Sequence, residues 1–317
     1  MNYEQALRFI YSLQGENLKL RLAGVRHIVA RLPFPVDEVR YLQVAGTNGK
    51  GSTSHFLAAV LQAAGLRVGL FTSPHLEHVR ERIRIDGRPV SRARFAAAID
   101  RVRAICDPLV AAGEIDNFPT FFETVFLASL CLFHEEKCDW AVMEVGLGGR
   151  LDATTALTPA VGVITNIALD HTQILGRRIV DIAAEKAGII KPGVPLVCGC
   201  PPGGAAERVI AARARELAAP YFPVFARQAR PEILRYFPRS TRARYLSPEA
   251  EHRFVYSLGG DHQASNAAVA IRTIEVLRGL GLEIPPVALE RGLRRAFIPG
   301  RLERFPGSPP VILDGGH

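Results

Sequence analysis

The chain has 317 residues, 48% of them hydrophobic and 22% charged, a globular balance with length for one large domain or two ordinary ones. No apolar run reaches the roughly 18 residues needed to span a bilayer, and the opening Met-Asn-Tyr-Glu-Gln-Ala-Leu starts an amphipathic helix, not a signal peptide, so a cytoplasmic protein without a membrane partner is expected. The formal net charge of +8 comes from scattered basic residues without a Lys/Arg block, which argues against a nucleic-acid partner and suits anionic small molecules.

In chain order, residues 3–13 and 19–31 carry helical periodicity. Residues 41–44 read as a short buried strand that runs into a glycine-rich loop. A helix follows over 52–64, stopped by Gly65, and then a strand over 67–71. This β-loop-α-β unit implies a parallel sheet. Residues 82–90 suggest a small hairpin turning at Asp86-Gly87. Ser91 is placed to cap a long helix to about residue 112. A very apolar helix over 120–135 is expected to be buried.

Residues 139–144 form a strand that ends in a carboxylate, and 160–166 a strand that ends in a polar cluster. Helix 178–190, strand 194–198 and helices 205–218 and 263–279 continue the alternation. Residues 221–257 are less regular and carry added β-structure; 311–313 is a last short strand. The expected fold is therefore α/β, a mostly parallel sheet of P-loop type flanked by helices. The five cysteines, Cys106, Cys131, Cys138, Cys198 and Cys200, read as free thiols, since Cys198-Gly-Cys200 has no second pair or His cluster to complete a metal site.

Polar residues recur just after strand ends: Lys50, Ser73, Glu144, Asp170 and His171. In open α/β sheets the ligand crevice lies at those ends. The loop Gly46-Thr47-Asn48-Gly49-Lys50-Gly51-Ser52 has the chemistry of a phosphate cradle. Glycines let backbone N–H groups approach anionic oxygens, and the following helix directs its positive end at them. Lys50 can reach the β- and γ-phosphates; Ser52 or Thr53 can touch Mg²⁺ or a phosphate oxygen. The general pattern is imperfect, because Val44 stands where a first Gly is wanted and Gly51 where Ser/Thr is wanted.

That departure is informative. Val-Ala-Gly-Thr-Asn-Gly-Lys-Gly-Ser resembles the phosphate loop of the folylpolyglutamate synthase/dihydrofolate synthase family, relatives of the Mur peptidoglycan ligases. Four further segments support the resemblance: Phe71 to Leu76, Met143 to Thr154, Thr165 to Thr172 and Ile182 to Ile189. It extends from about residue 20 to the end.

The resemblance implies an ATP- and magnesium-dependent ligase of folate biosynthesis and one-carbon metabolism. It joins L-glutamate to a folate, to dihydropteroate, or to both, through an acyl phosphate. Positions matching Ser73, Glu144 and His171 bind Mg²⁺, and the one matching Lys186 is a carbamylated lysine, which requires a depressed pKa. Asn48, Gly49, Lys50, Gly51, Ser52, Asn266, Arg301 and Asp314 match the ATP site. Leu22, Ala23, Gly24, Thr120, Phe121, Phe122, Glu123, Leu151, Asp152 and Ala153 match substrate-binding stretches.

The implied organisation is an ATP-binding domain over 1–300, then a linker and the start of a C-terminal α/β domain over 301–317, with Gly316 where the family motif has Ala. A monomer is expected. Because the chain ends at His317, weak ligation by it alone is expected. Two other readings stay open: a Mur-type ligase of cell-wall synthesis, and a nucleotide-binding module without ligase activity.

Overall fold

The computed structural model describes residues 1–13, 22–225 and 230–315. Residues 19–21 of the expected second helix, and Gly316 and His317 of the last motif, lie outside them. The chain opens with α1 (Tyr3–Ser12) and α2 (Leu22–Val29). Next come β1 (Arg40–Ala45), α3 (Lys50–Ala63), β2 (Val68–Phe71) and the hairpin β3 (Ile83–Ile85) and β4 (Arg88–Pro89). Two helices follow, α4 (Arg92–Ala111) and α5 (Phe121–Glu135), then β5 (Trp140–Glu144) and β6 (Val161–Ile164). The short α6 (Thr172–Leu175) precedes α7 (Ile179–Ala187), β7 (Leu196–Cys198), α8 (Ala205–Glu216) and β8 (Tyr221–Pro223). A meander of β9 (Glu232–Phe237), β10 (Ser240–Leu246) and β11 (Glu251–Tyr256) leads to α9 (His262–Gly279) and α10 (Pro286–Arg295). Strands β12 (Glu303–Phe305) and β13 (Val311–Leu313) close the chain.

Eight strands form one sheet in the order β4-β3-β2-β5-β1-β6-β7-β8. The run from β2 to β8 is parallel, and the β3–β4 hairpin adds an antiparallel edge. The sheet differs from the simple β-α-β expectation in one respect. Strand β5 inserts between β1 and β2, so Val44 pairs with Glu144 and Phe71 with Met143. A pairing between strands so distant in sequence leaves no local mark.

Alternation along the strands sorts the core. Leu42, Val44, Leu70 and Val142 point to one face, packed with α3, α9, α10 and the β9–β11 sheet. Tyr41, Phe71, Ala141 and Met143 point to the other, against α1, α4 and α5. Ala45, Ile164, Leu196 and Cys198 pack with α7 and α8. Helix α5 is buried nearly all round, as its composition requires. Each of its fully buried Phe126 and Phe133 contributes about 1.5–3 kcal/mol. All five cysteines are buried and free. Among the described residues no helix is long and apolar enough to cross a membrane.

Helix α10 is an element that the sequence reading did not anticipate. Its sequence is arginine-rich and interrupted by Gly292, which weakens a helical pattern. That glycine is where α10 meets α3: a Cβ there would lie 2.4 Å from Val60 Cα. Gly292→Ala must therefore push the two helices apart. It is expected to cost about 1–3 kcal/mol in denaturant unfolding; a wild-type midpoint would contradict this packing.

Candidate active site

The carboxyl ends of β1, β2, β5 and β6 come together around the glycine-rich loop. Gly46 has φ +146°, and a Cβ on it would overlap Thr165 Oγ1 at 1.9 Å. Gly49 has φ +79° and caps α3; a Cβ on it would lie 2.1 Å from Asn266 Oδ1. Only glycine suits both positions. The loop is fastened to the exit of β6. Thr47 N–H donates to Asn166 O (2.8 Å), Asn48 N–H to Asn166 Oδ1 (3.0 Å), and Thr165 Oγ1 to Asn48 O (2.6 Å). The Thr47 hydroxyl accepts from Ala168 N–H at 3.0 Å.

Lys50 opens α3, and its ammonium donates to the Gly46 and Thr47 carbonyls, both at 3.0 Å. The charge therefore sits inside the curl of the loop, over the amino end of a helix of 14 residues. Both features favour an anion there. Ser52 is half-buried in the first turn, whereas Thr53 is fully buried and its hydroxyl has no partner among the described residues.

Glu144 ends β5 and is 3% exposed. It accepts Ser73 N–H at 3.0 Å from the end of β2, and among the described residues it has no ion pair. A Cβ at Gly51 would stand 3.6 Å from its Oε1, ordinary van der Waals distance, so the extra glycine after Lys50 lies beside this carboxylate. Burial pushes the Glu144 pKa up to about 7, against the pull of Lys50, the Ser73 N–H, Arg301 and Arg82.

Lys186 lies on α7, 4% exposed, and donates to Gly46 O at 2.8 Å. Burial, with the charge of Lys50 adding to it, pushes its pKa down to about 8. At pH 7 about a tenth of the amine is then neutral. The loop after β5 holds α7 in place: Arg150 N–H donates to Glu185 O, and its guanidinium grips Glu185 Oε1 at 2.9 and 3.0 Å.

A phosphate cradle, a buried carboxylate and a buried lysine thus share one sheet edge. The Mur ligase middle domain family matches residues 44–274. The dihydrofolate synthase/folylpolyglutamate synthase of Bacillus subtilis is 37% identical over 325 residues, covering 99% of this chain and 73% of the relative. The chain belongs to this family of ligases.

A solved FPGS–AMPPCP–folate complex superposes with a TM-score of 0.91 at 34% identity, covering 100% of this chain and 77% of that one. A bifunctional folylpolyglutamate synthase/dihydrofolate synthase with Mn, AMPPNP and L-glutamate bound gives 0.79 at 34%, covering 100% and 71%. The chain spans only 37% of the length of a probable bifunctional folylpolyglutamate synthase/dihydropteroate synthase of Haloferax volcanii, to which it is 37% identical. These matches cover the whole of this chain and lend no support to the expected weakness of ligation.

Within this family of ligases, the expected site residues fall into three groups. Asn48, Gly49, Lys50, Gly51, Ser52, Ser73, Glu144, Lys186 and Asn266 lie in or around the cradle through the contacts above. Asn266 is buried, with its amide donating to Gln263 Oε1 at 2.9 Å.

His171 stands apart. It has φ +46°, leads into α6 and leaves its side chain 53% exposed, 3.8 Å from Asp170 Oδ1. Among the described residues no three His, Cys, Asp or Glu side chains converge on one point. Arg301 and Asp314 are exposed; Arg301 donates to Gly315 O at 3.0 Å while its charge also bears on Glu144, and the Asp314 carboxylate accepts Leu302 N–H.

The third group is the substrate stretch. Thr120 and Glu123 form a capping box for α5, each side chain accepting the other's backbone N–H. Phe121 stacks on Tyr11 with centroids 5.4 Å apart, and Phe122 meets Phe71 edge-on at 5.5 Å. Asp152 is buried, and its carboxylate accepts the N–H groups of Gly146, Leu147 and Thr154 and the Thr154 hydroxyl. Burial raises its pKa in spite of those bonds. Its side chain orders the loop. Leu22 and Ala153 are buried, Leu151 and Gly24 are half-buried, and Ala23 is exposed.

Sequence reasoning assigned no role to Thr165 or Asn166, whose staples define the cradle, nor to Arg82, which bears on Glu144. The first two stood inside a recognised string; nothing local marked Arg82.

A carboxylate whose folded pKa is raised is least costly when protonated. The penalty of ionising Glu144 is therefore absent below about pH 4.5 and complete above about pH 7, amounting to about 3 kcal/mol. Glu144→Gln, measured without divalent cations, is expected to raise stability at pH 8, with the gain fading between pH 7 and 4.5. A gain that does not change with pH would show that charge burial is not its cause.

Proposed function

We propose that this chain is the nucleotide-binding part of an ATP- and magnesium-dependent ligase that joins L-glutamate to a folate, to dihydropteroate, or to both. The observation that carries the reading is the buried Glu144, without an ion pair among the described residues, beside Gly51 of the phosphate loop and one hydrogen bond from Ser73. Support comes also from the relatives' names and from neighbours that hold an ATP analogue with folate or with glutamate. A cell-wall Mur ligase is less favoured, since the full-coverage relatives are folate ligases.

The donor set fits a hard cation in part. Glu144 is a desolvated carboxylate that a divalent ion would stabilise, Ser73 adjoins it, and Lys186 becomes an anionic ligand on carbamylation. His171, whose side chain is exposed, is the remaining member of the expected set. Bound there, Mg²⁺ would neutralise charge on the transferring phosphoryl group.

The chain's own residues account for binding and orientation. The N–H groups of the loop and the amino end of α3 hold the phosphates, and Lys50 exchanges its loop carbonyls for phosphate oxygens. An acceptor carboxylate oxygen attacks the γ-phosphorus in line, and ADP leaves. The glutamate amine then attacks the acyl carbon of the mixed anhydride, and inorganic phosphate leaves. Positioning and electrostatics supply the catalysis, with no protein nucleophile.

The reading includes a nucleotide domain over 1–300, favoured by the β12–β13 hairpin, which pairs only with itself. It also includes a cytoplasmic monomer. An ATP-dependent glutamate ligation assay, comparing dihydropteroate, tetrahydrofolate and a UDP-muramyl peptide, tests it. Ligation to a folate acceptor, lost in Lys50→Ala together with nucleotide binding, is expected. Turnover of the muramyl peptide alone, or unchanged nucleotide affinity in Lys50→Ala, would overturn the reading.

A further inference from the structure

Arg82 is a half-buried cation with an unusual set of neighbours. Its backbone carbonyl accepts Thr72 N–H at 3.0 Å, which seats it beside Ser73 at the end of β2. Its Nε donates to His75 Nδ1 at 2.8 Å, and its guanidinium lies 5.1 Å from the centroid of Phe121. Among the described residues it makes no ion pair, and its two Nη groups make no hydrogen bond. The nearest acid in sequence is unavailable, because Glu81 accepts the N–H groups of Leu76, Glu77 and His78. Arg82 and Glu144 feel each other's charge.

Most half-buried arginines find a carboxylate, because a desolvated charge without a partner is costly. Here Nε is fixed by an imidazole and one face of the fork by an aromatic ring. The remaining edge is preorganised for a planar, two-oxygen anion. Its place decides which anion. Phe121 belongs to the stretch expected to meet the acceptor's heterocycle, and Ser73 and Glu144 belong to the phosphate-transfer cluster. A group between them meets the part of the acceptor that is phosphorylated.

Resting on the ligase reading above, we propose that Arg82 binds the acceptor carboxylate that is activated by ATP, holding both oxygens until one attacks phosphorus. His75 and Phe121 are its positioning residues. A purely structural Arg82 would stiffen the 74–82 turn without distinguishing one acceptor from another.

The test uses the full chain and whichever acceptor the wild type ligates, dihydropteroate or tetrahydrofolate, against the same compound with its reacting carboxylate converted to a carboxamide. Affinities are measured by calorimetry with AMPPNP present. The wild type should prefer the carboxylate by about tenfold to a hundredfold, the worth of a charge-assisted bond. Arg82→Gln should bind both forms alike, with nucleotide affinity unchanged, and Arg82→Lys should keep part of the preference. Retention of the full preference in Arg82→Gln, or in Arg82→Lys and Arg82→Met if the glutamine variant fails to fold, overturns the proposal and leaves the ligase reading standing. A wild type that ligates no folate acceptor overturns both.

Discussion

Burying an ionised carboxylate in a protein costs several kcal/mol unless a charge answers it. Glu144 is placed at the end of a central strand with, among the described residues, a single backbone N–H as its hydrogen-bond partner. Lys50 is close enough to lower its pKa but directs its ammonium at the loop carbonyls. The rest of the crevice is arranged around that imbalance. The first turn of α3 lies beside the carboxylate at Gly51, and Ser73 meets it from the end of β2. Stability surrendered at one position is a common signature of a site kept ready for a cation or a reaction.

The cradle is rigid for a different reason. A loop of small residues would wander if held only by its flanking strand and helix. Thr165, Asn166 and Ala168 fasten it from the exit of β6 and Lys186 from α7, while Asn266 of α9 packs against Gly49. Three separate elements thus hold one loop. A binding loop fixed in advance gives up less freedom when phosphate arrives. Lys186 serves twice: its amine steadies Gly46, and the burial that permits this bond also lowers its pKa.

Much of this was legible in the sequence. The strand, helix and hairpin boundaries followed from periodicity, and Ser91 and Thr120 marked their helices as N-caps. Lys50, Ser73 and Glu144 were singled out because the ligand crevice of an open α/β sheet lies at its strand ends, and the fold brings the three to one crevice. What escaped was non-local. No pattern near β1 or β2 announces that β5 runs between them. The contact between Gly49 and Asn266 joins residues more than 200 positions apart. Asp152 reads as a ligand in a conserved-looking string, yet its carboxylate is engaged by three amides of its own loop. Arg82 looks like one more basic residue in an arginine-rich turn until the fold sets it against Phe121 and His75.

The central claim is that the buried carboxylate at the end of β5 couples nucleotide binding to a divalent cation. Affinity for AMPPNP measured across a magnesium titration, in the wild type and in Glu144→Gln, tests it most directly. The account predicts that magnesium tightens nucleotide binding in the wild type and has little effect in the variant, which remains folded. Equal magnesium dependence in the two proteins would contradict it.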